Sequence, residues 1–170
     1  MFKIKSSILL LISFLIFSCS NNQIKSYNQK YSLAYIGGQY HGLLLKNYLL
    51  SSLKNLRIYD SNSNYEIKAN INHSSDTYIT NIDNTSDREK ISTTLTFQII
   101  NIPLNCQVFS DEINVSQFHI YASSDKFLSN KTAANKIKKN NTESAVRQLI
   151  NQLKYIPSKC DEKRKTDITN

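Results

Sequence analysis

Tyr65-Glu66-Ile67-Lys68-Ala69-Asn70-Ile71-Asn72 alternates apolar and polar side chains without a break. On an extended chain, neighbouring side chains point to opposite faces. Tyr65, Ile67, Ala69 and Ile71 therefore share a face that must be buried, while Glu66, Lys68, Asn70 and Asn72 meet water. Thr77 to Ile82 continues this strand past an irregularity expected at Ser74-Ser75-Asp76, and Asn84-Thr85-Ser86-Asp87 reads as a hairpin turn. Ile91, Thr93, Leu95, Phe97 and Ile99 then repeat the alternation. Pro103 and Asn105 mark the next turn, and Cys106 to Tyr121 forms a further strand whose phase slips. Phe109, Ile113 and Val115 have one parity, Phe118 and Ile120 the other, which predicts a bulge near Ser116-Gln117.

A sheet wet on one face needs a cover on the other, and two segments supply it. From about Tyr40 to Asn55, Leu45, Leu49 and Leu53 recur every four residues and form a helical stripe. Burying three Leu side chains contributes roughly 5–9 kcal/mol in transfer terms, so this helix is docked. From about Ser129 to Lys154, Ala133, Ile137, Ala145, Leu149 and Leu153 line one side of a second helix, with Asn140-Asn141-Thr142 as a weak spot that would divide it. Before the first helix, Tyr31 to Ile36 is a short strand stopped by Gly37-Gly38. After it, Leu56 to Tyr59 is an extended exit and Asp60 to Asn64 a turn cluster. The order β-α-β-β-β-α predicts an α+β two-layer sandwich, with two helices packed on one face of a four-stranded sheet.

Residues 31–156 make this single domain, and 157–170 a charged, disordered tail. At the other end, Lys3 and Lys5 precede an apolar run from Ile8 to Phe17, broken only by Ser13. Ile16-Phe17-Ser18-Cys19 then sets a small residue directly before a cysteine. The run is too short for a spanning helix and reads as a targeting segment. It resembles the lipobox of bacterial lipoproteins, whose Cys takes a lipid and becomes the mature N-terminus, although Phe17 is bulkier than usual. The other readings are an ordinary signal peptide with a coincidental Cys, or an uncleaved anchor. On the lipoprotein reading residues 1–18 are removed, Cys19 is lipidated, and residues 19–30 are a polar tether.

The formal charge is +8 and falls to +6 when Lys3 and Lys5 leave with the signal segment. Abundant Asn, Lys, Ile and Ser look like the bias of an AT-rich genome, so the basic balance has a compositional explanation beside that of an anionic partner. With Cys19 assigned to lipid, Cys106 and Cys160 remain. In an oxidising compartment they form one bridge or persist as two thiols. Chemistry is scarce. His41, His73 and His119 lie far apart in sequence with no metal-ligand spacing, and no nucleophile elbow, paired-cysteine or phosphate-loop motif occurs. His73 shares the buried parity of its strand. We expect no enzyme activity, metal, cofactor or nucleic-acid partner. The remaining signal is charge: Arg88 and Lys90 beside the long hairpin, and Lys126 and Lys131 with Lys136, Lys138 and Lys139 where the last helix begins. These are side chains suited to phosphate, or plain solvated surface.

Taken together, the lipobox, the tether, a Gly-led helix (Gly42 to Leu49), the exit Leu56-Arg57-Ile58-Tyr59-Asp60, the meander and the long last helix resemble the lipopolysaccharide-assembly lipoprotein family LptE. The passage from Tyr121 through Ser124, Asp125 and Phe127 is similar to its alphaproteobacterial branch. The likeness covers about residues 16–156 and lies in element order rather than in a diagnostic motif. It implies a periplasm-facing protein anchored to the outer membrane. It also implies a protein that plugs and helps assemble the barrel LptD and assists lipopolysaccharide transport. By position, Arg88, Lys90, Lys126 and Lys131 would contact lipopolysaccharide. The competing classes are an accessory lipoprotein of an ABC lipid transporter or of the barrel-assembly machinery, and a free-standing lipid-binding module.

One short acyl chain gives only marginal membrane binding, whereas several chains on one cysteine hold a protein permanently. Cys19→Ala is therefore expected to leave an uncleaved precursor or a protein lost from the detergent phase. Gel mobility and Triton X-114 partitioning check this, and wild-type behaviour of the variant would refute lipidation.

Overall fold

The computed structural model describes residues 27, 29–79, 87–121, 126–157 and 160. Its elements are β1 (Ser32–Gly37), α1 (Gln39–Asn55), β2 (Tyr65–Ile79), β3 (Asp87–Asn101), β4 (Cys106–Tyr121) and α2 (Phe127–Gln152), followed by a 3-10 turn (Leu153–Tyr155). The lipobox with Cys19, the hairpin turn apart from Asp87, the break at Ala122 to Asp125 and residues 161–170 lie outside the described residues.

The four strands stand in chain order, β1-β2-β3-β4. β2, β3 and β4 form the antiparallel meander, while β1 pairs with β2 in parallel. A parallel pair cannot be joined by a tight turn, and α1 provides the crossover. Gly38, at φ +111°, makes the strand-to-helix corner in a backbone region that favours glycine. One turn on, a Cβ on Gly42 would stand 2.6 Å from the Gly37 carbonyl oxygen, so only glycine lets α1 start so close to β1.

The β2–β3 register runs unbroken from Tyr65↔Asn101 to Ile79↔Asp87, straight through Ser74, Ser75 and Asp76. The irregularity expected there is absent, because Ser92, Ile91 and Lys90 meet those three residues in sequence. Asp87 also pairs as strand rather than turn. β4 does carry a bulge, but at its beginning: Ile99 faces Phe109 and Ile100 faces Gln107, leaving buried Val108 as the extra residue. No register shift occurs at Ser116-Gln117. The change of parity there has another cause: Phe118 and Ile120 point out of the core, onto the open face of the sheet.

Both helices lie on the other face. Leu45, Leu49 and Leu53 of α1, and Ala145, Val146, Leu149 and Leu153 of the α2 segment, close over Ile67, Ile71, Leu95, Phe97 and Ile99. Tyr31 locks the ends together. Its backbone N–H donates to Ile58 O (2.8 Å), and its buried hydroxyl donates to Leu153 O at 3.3 Å.

α2 is continuous through the expected weak spot. Asn141 is fully buried, and its amide Nδ2 donates to the carbonyls of Ile91 (3.1 Å) and Val115 (3.4 Å) on two strands. Thr142 returns its hydroxyl to Lys138 O within the helix. Poor helix formers are kept here because tertiary hydrogen bonds outweigh a propensity penalty of a few tenths of a kcal/mol each. Ala133 and Ile137, two turns and one turn earlier, are only half-buried.

Cys106 and Cys160 are joined by a disulfide across 54 residues, with Cα atoms 6.1 Å apart. In the chain-entropy account, closing such a loop stabilises a domain by about 4 kcal/mol. Replacing Asn141 by Ala removes one buried and one partly buried hydrogen bond and opens a small void. We expect a loss of about 2 kcal/mol of unfolding free energy in urea titrations of the purified protein.

Candidate functional site

At the hairpin end of the sheet, the face turned away from the helices changes character. Cross-strand pairing lays down two rows, Tyr78–Arg88–Ile120 and Asp76–Lys90–Phe118. Phe118 and Ile120 are 60% and 69% exposed, which no core explains. The Tyr78 and Phe118 rings meet above β3 with centroids 5.9 Å apart, flanking the row of Arg88 and Lys90. Cations in register with exposed rings on one open face suit an amphiphile, with charge for the anionic group and carbon for the chain.

On the opposite face at the same end, His119 and Glu89 form a largely buried pair at 2.7 Å. That contact takes the carboxylate beside Arg88 and Lys90 away to the helix side. Lys126 is the N-cap residue of α2 and Lys131 lies in its second turn; both are exposed. They belong to the helix layer, so the four sequence-selected cations divide into two pairs on opposite layers. Arg88 and Lys90 share one strand face, on the side of the sheet away from Lys126 and Lys131. Phe127 and Leu128, also exposed, add apolar surface at the start of α2. The apolar members of this surface were not singled out in the sequence. Their signal was the parity change at Phe118 and Ile120, which marks outward-facing side chains rather than a bulge.

The structure brings together two histidines that the sequence leaves 32 positions apart. His41, in the first turn of α1, and His73, on β2, stack edge to face with centroids 4.3 Å apart. His73 Nδ1 lies 2.8 Å from the Thr93 hydroxyl. Burial, helped by the neighbouring His41 and Lys138, pushes the His73 imidazole down to about 4. Burial and Lys138 lower His41 as well. Among the described residues no three His, Cys, Asp or Glu side chains come together as a metal site.

In sequence, no family model and no curated relative matches the chain. Its fold is similar to several solved structures. A minor lipoprotein from Acinetobacter baumannii aligns with a TM-score of 0.57 at 15% identity, over 76% of this chain and 94% of that one. A putative lipoprotein from Caulobacter crescentus gives 0.54 at 15% identity, over 77% and 92%. Rare lipoprotein B from Shewanella oneidensis gives 0.58 at 8% identity, over 72% and 92%. At these identities the shared property is the fold.

His73 titrates lower in the fold than in an unfolded chain, so between about pH 6.5 and 4 the unfolded state binds more protons. The stability held by neutral His73 is complete above that window and is lost as the pH falls through it. Urea midpoints measured from pH 7 to 4 should decline, and His73→Phe should flatten the slope. An equal slope in the variant would assign the acid sensitivity elsewhere.

Proposed function

We propose that this chain is a lipid-anchored outer-membrane lipoprotein facing the periplasm. On this reading it plugs the lumen of a lipopolysaccharide-exporting LptD-type barrel, helps that barrel assemble, and assists lipopolysaccharide transport. The observation that carries the reading is the sandwich shared with rare lipoprotein B over 92% of that protein, on a chain that also places Cys19 behind a lipobox-like segment.

The surfaces support it. A plug works by presenting broad, rigid faces, and the disulfide, the buried Asn141 and the two docked helices make this domain rigid. Arg88 and Lys90, set among Tyr78, Phe118 and Ile120, offer a phosphorylated glycolipid both charge and apolar contact. Lys126 and Lys131, on the helix layer, would offer phosphate a second, separate cationic contact at the start of α2.

Full-length protein purified from detergent-solubilised membranes should bring down one large barrel in a one-to-one complex. Capture of an inner-membrane transporter instead would favour an accessory subunit of that machine. Reversing Arg88, Lys90, Lys126 and Lys131 to Glu should weaken glycolipid binding about tenfold or more while sparing barrel association. Phosphate contacts depend on charge, whereas plug contacts are broad and largely apolar. Unchanged glycolipid affinity would remove the lipid site and leave the plug role standing.

A further inference from the structure

The helix layer carries an electrostatic asymmetry that the hairpin end does not explain. α1 contains Lys46 and Lys54 and no acidic residue. α2 contains four lysines and Arg147 against a single acid, Glu143, which is engaged with Arg147 at 3.6 Å. The strands are the reverse, with Lys68, Arg88 and Lys90 outnumbered by Asp and Glu. The domain is therefore basic on its helical side and acidic in its sheet.

Within the basic layer a cavity of about 520 Å³ opens between the start of α1 and the middle of α2, lined by Tyr40, His41, Leu44, Asn135, Lys136 and Lys139. Two ammonium groups, an amide, a phenol and an imidazole converge on it, and among the described residues no carboxylate does. Those groups can all donate hydrogen bonds, which suits a ligand rich in acceptor oxygens. Leu44 adds an apolar wall. At its rim Tyr40 is 79% exposed, and Leu43 on the same turn is 59% exposed. Cations without a described counter-carboxylate beside exposed carbon match an anionic amphiphile better than a sugar or a metal ion.

We propose that this inter-helix cavity is a binding site for the phosphate group of an anionic phosphate ester, with Lys136 and Lys139 holding the phosphate oxygens and Tyr40 and Leu44 receiving the carbon portion. The site lies between the helices, apart from the Arg88 and Lys90 surface, and does not depend on barrel plugging. His41 reports occupancy. It faces His73 from β2 and Lys136, Lys138 and Lys139 from α2, and a bound anion relieves that positive surrounding and raises its titration midpoint.

The test uses the full-length protein in zwitterionic detergent, titrated with dihexanoylphosphatidylglycerol, dihexanoylphosphatidylcholine and inorganic phosphate, with the His41 imidazole followed by NMR. Phosphatidylglycerol should saturate and move the His41 midpoint upward, and phosphatidylcholine should not. Lys136→Glu with Lys139→Glu should weaken phosphatidylglycerol binding about tenfold or more. The control pair Lys46→Glu with Lys54→Glu, on exposed positions of α1 outside the cavity, should leave it unchanged. Tighter binding of phosphatidylglycerol than of inorganic phosphate assigns the site to lipid, and equal binding assigns it to a soluble phosphate. The proposal is overturned if neither moves His41, if phosphatidylcholine binds as well as phosphatidylglycerol, or if the control pair loses as much affinity as the cavity pair.

Discussion

Everything in this domain depends on covering one face of a twisted four-stranded sheet. Ile67, Ala69 and Ile71 on β2, with Ile91, Leu95, Phe97 and Ile99 on β3, form an apolar floor that water cannot be left to wet. Two helical stripes close it, each by a different device. α1 is set by glycine, since Gly38 turns the corner and Gly42 permits the approach. α2 is set by an amide, since Asn141 reaches across two strands to their carbonyls. The helix with the weaker apolar stripe thus receives the stronger polar tie, and its position along the strands is fixed by hydrogen bonds as well as by hydrophobic contact.

The architecture could be read from period alone because the alternation in β2 and β3 and the four-residue spacing of Leu45, Leu49 and Leu53 agree with one another. The reading broke down where side chains answer to surface chemistry rather than to burial. Phe118 and Ile120 imitate a bulge because an alternation rule assumes that every large apolar residue seeks the core. The real bulge at Val108 sits among apolar residues on both sides, where parity gives no warning. Asn141 looked like a helix breaker because propensity cannot see the carbonyls of Ile91 and Val115. The site was less legible. Arg88 and Lys90 stood out by charge, but their apolar neighbours are defined by cross-strand register. The His41–His73 contact joins residues from separate elements, so no sequence spacing could have announced it.

The two ends of chemical interest use different physics. At the hairpin end, charge and aromatic carbon share one open face, where salt screens the cations but not the apolar contact. Between the helices, the basic side chains are gathered by the docking of α1 against α2, and burial first, with Lys138 second, lowers the basicity of His41 beside them. The sheet layer, with its surplus of carboxylates, gives the molecule a sense of direction in the field of any charged surface it approaches.

The position of α2 at the end of the fold bears on how the domain is born. A chain that emerges N-terminus first presents β2, β3 and β4 before α2 arrives. The meander can zip locally, since neighbouring strands are joined by short connections, but its floor around Leu95 and Ile113 stays bare until the last helix docks. During that interval the nascent sheet offers both an unprotected apolar face and a long unpaired edge in β4. That interval is therefore the moment at which this chain is most open to aggregation, and the closing of Cys106 onto Cys160 becomes the chemical mark that the interval is over.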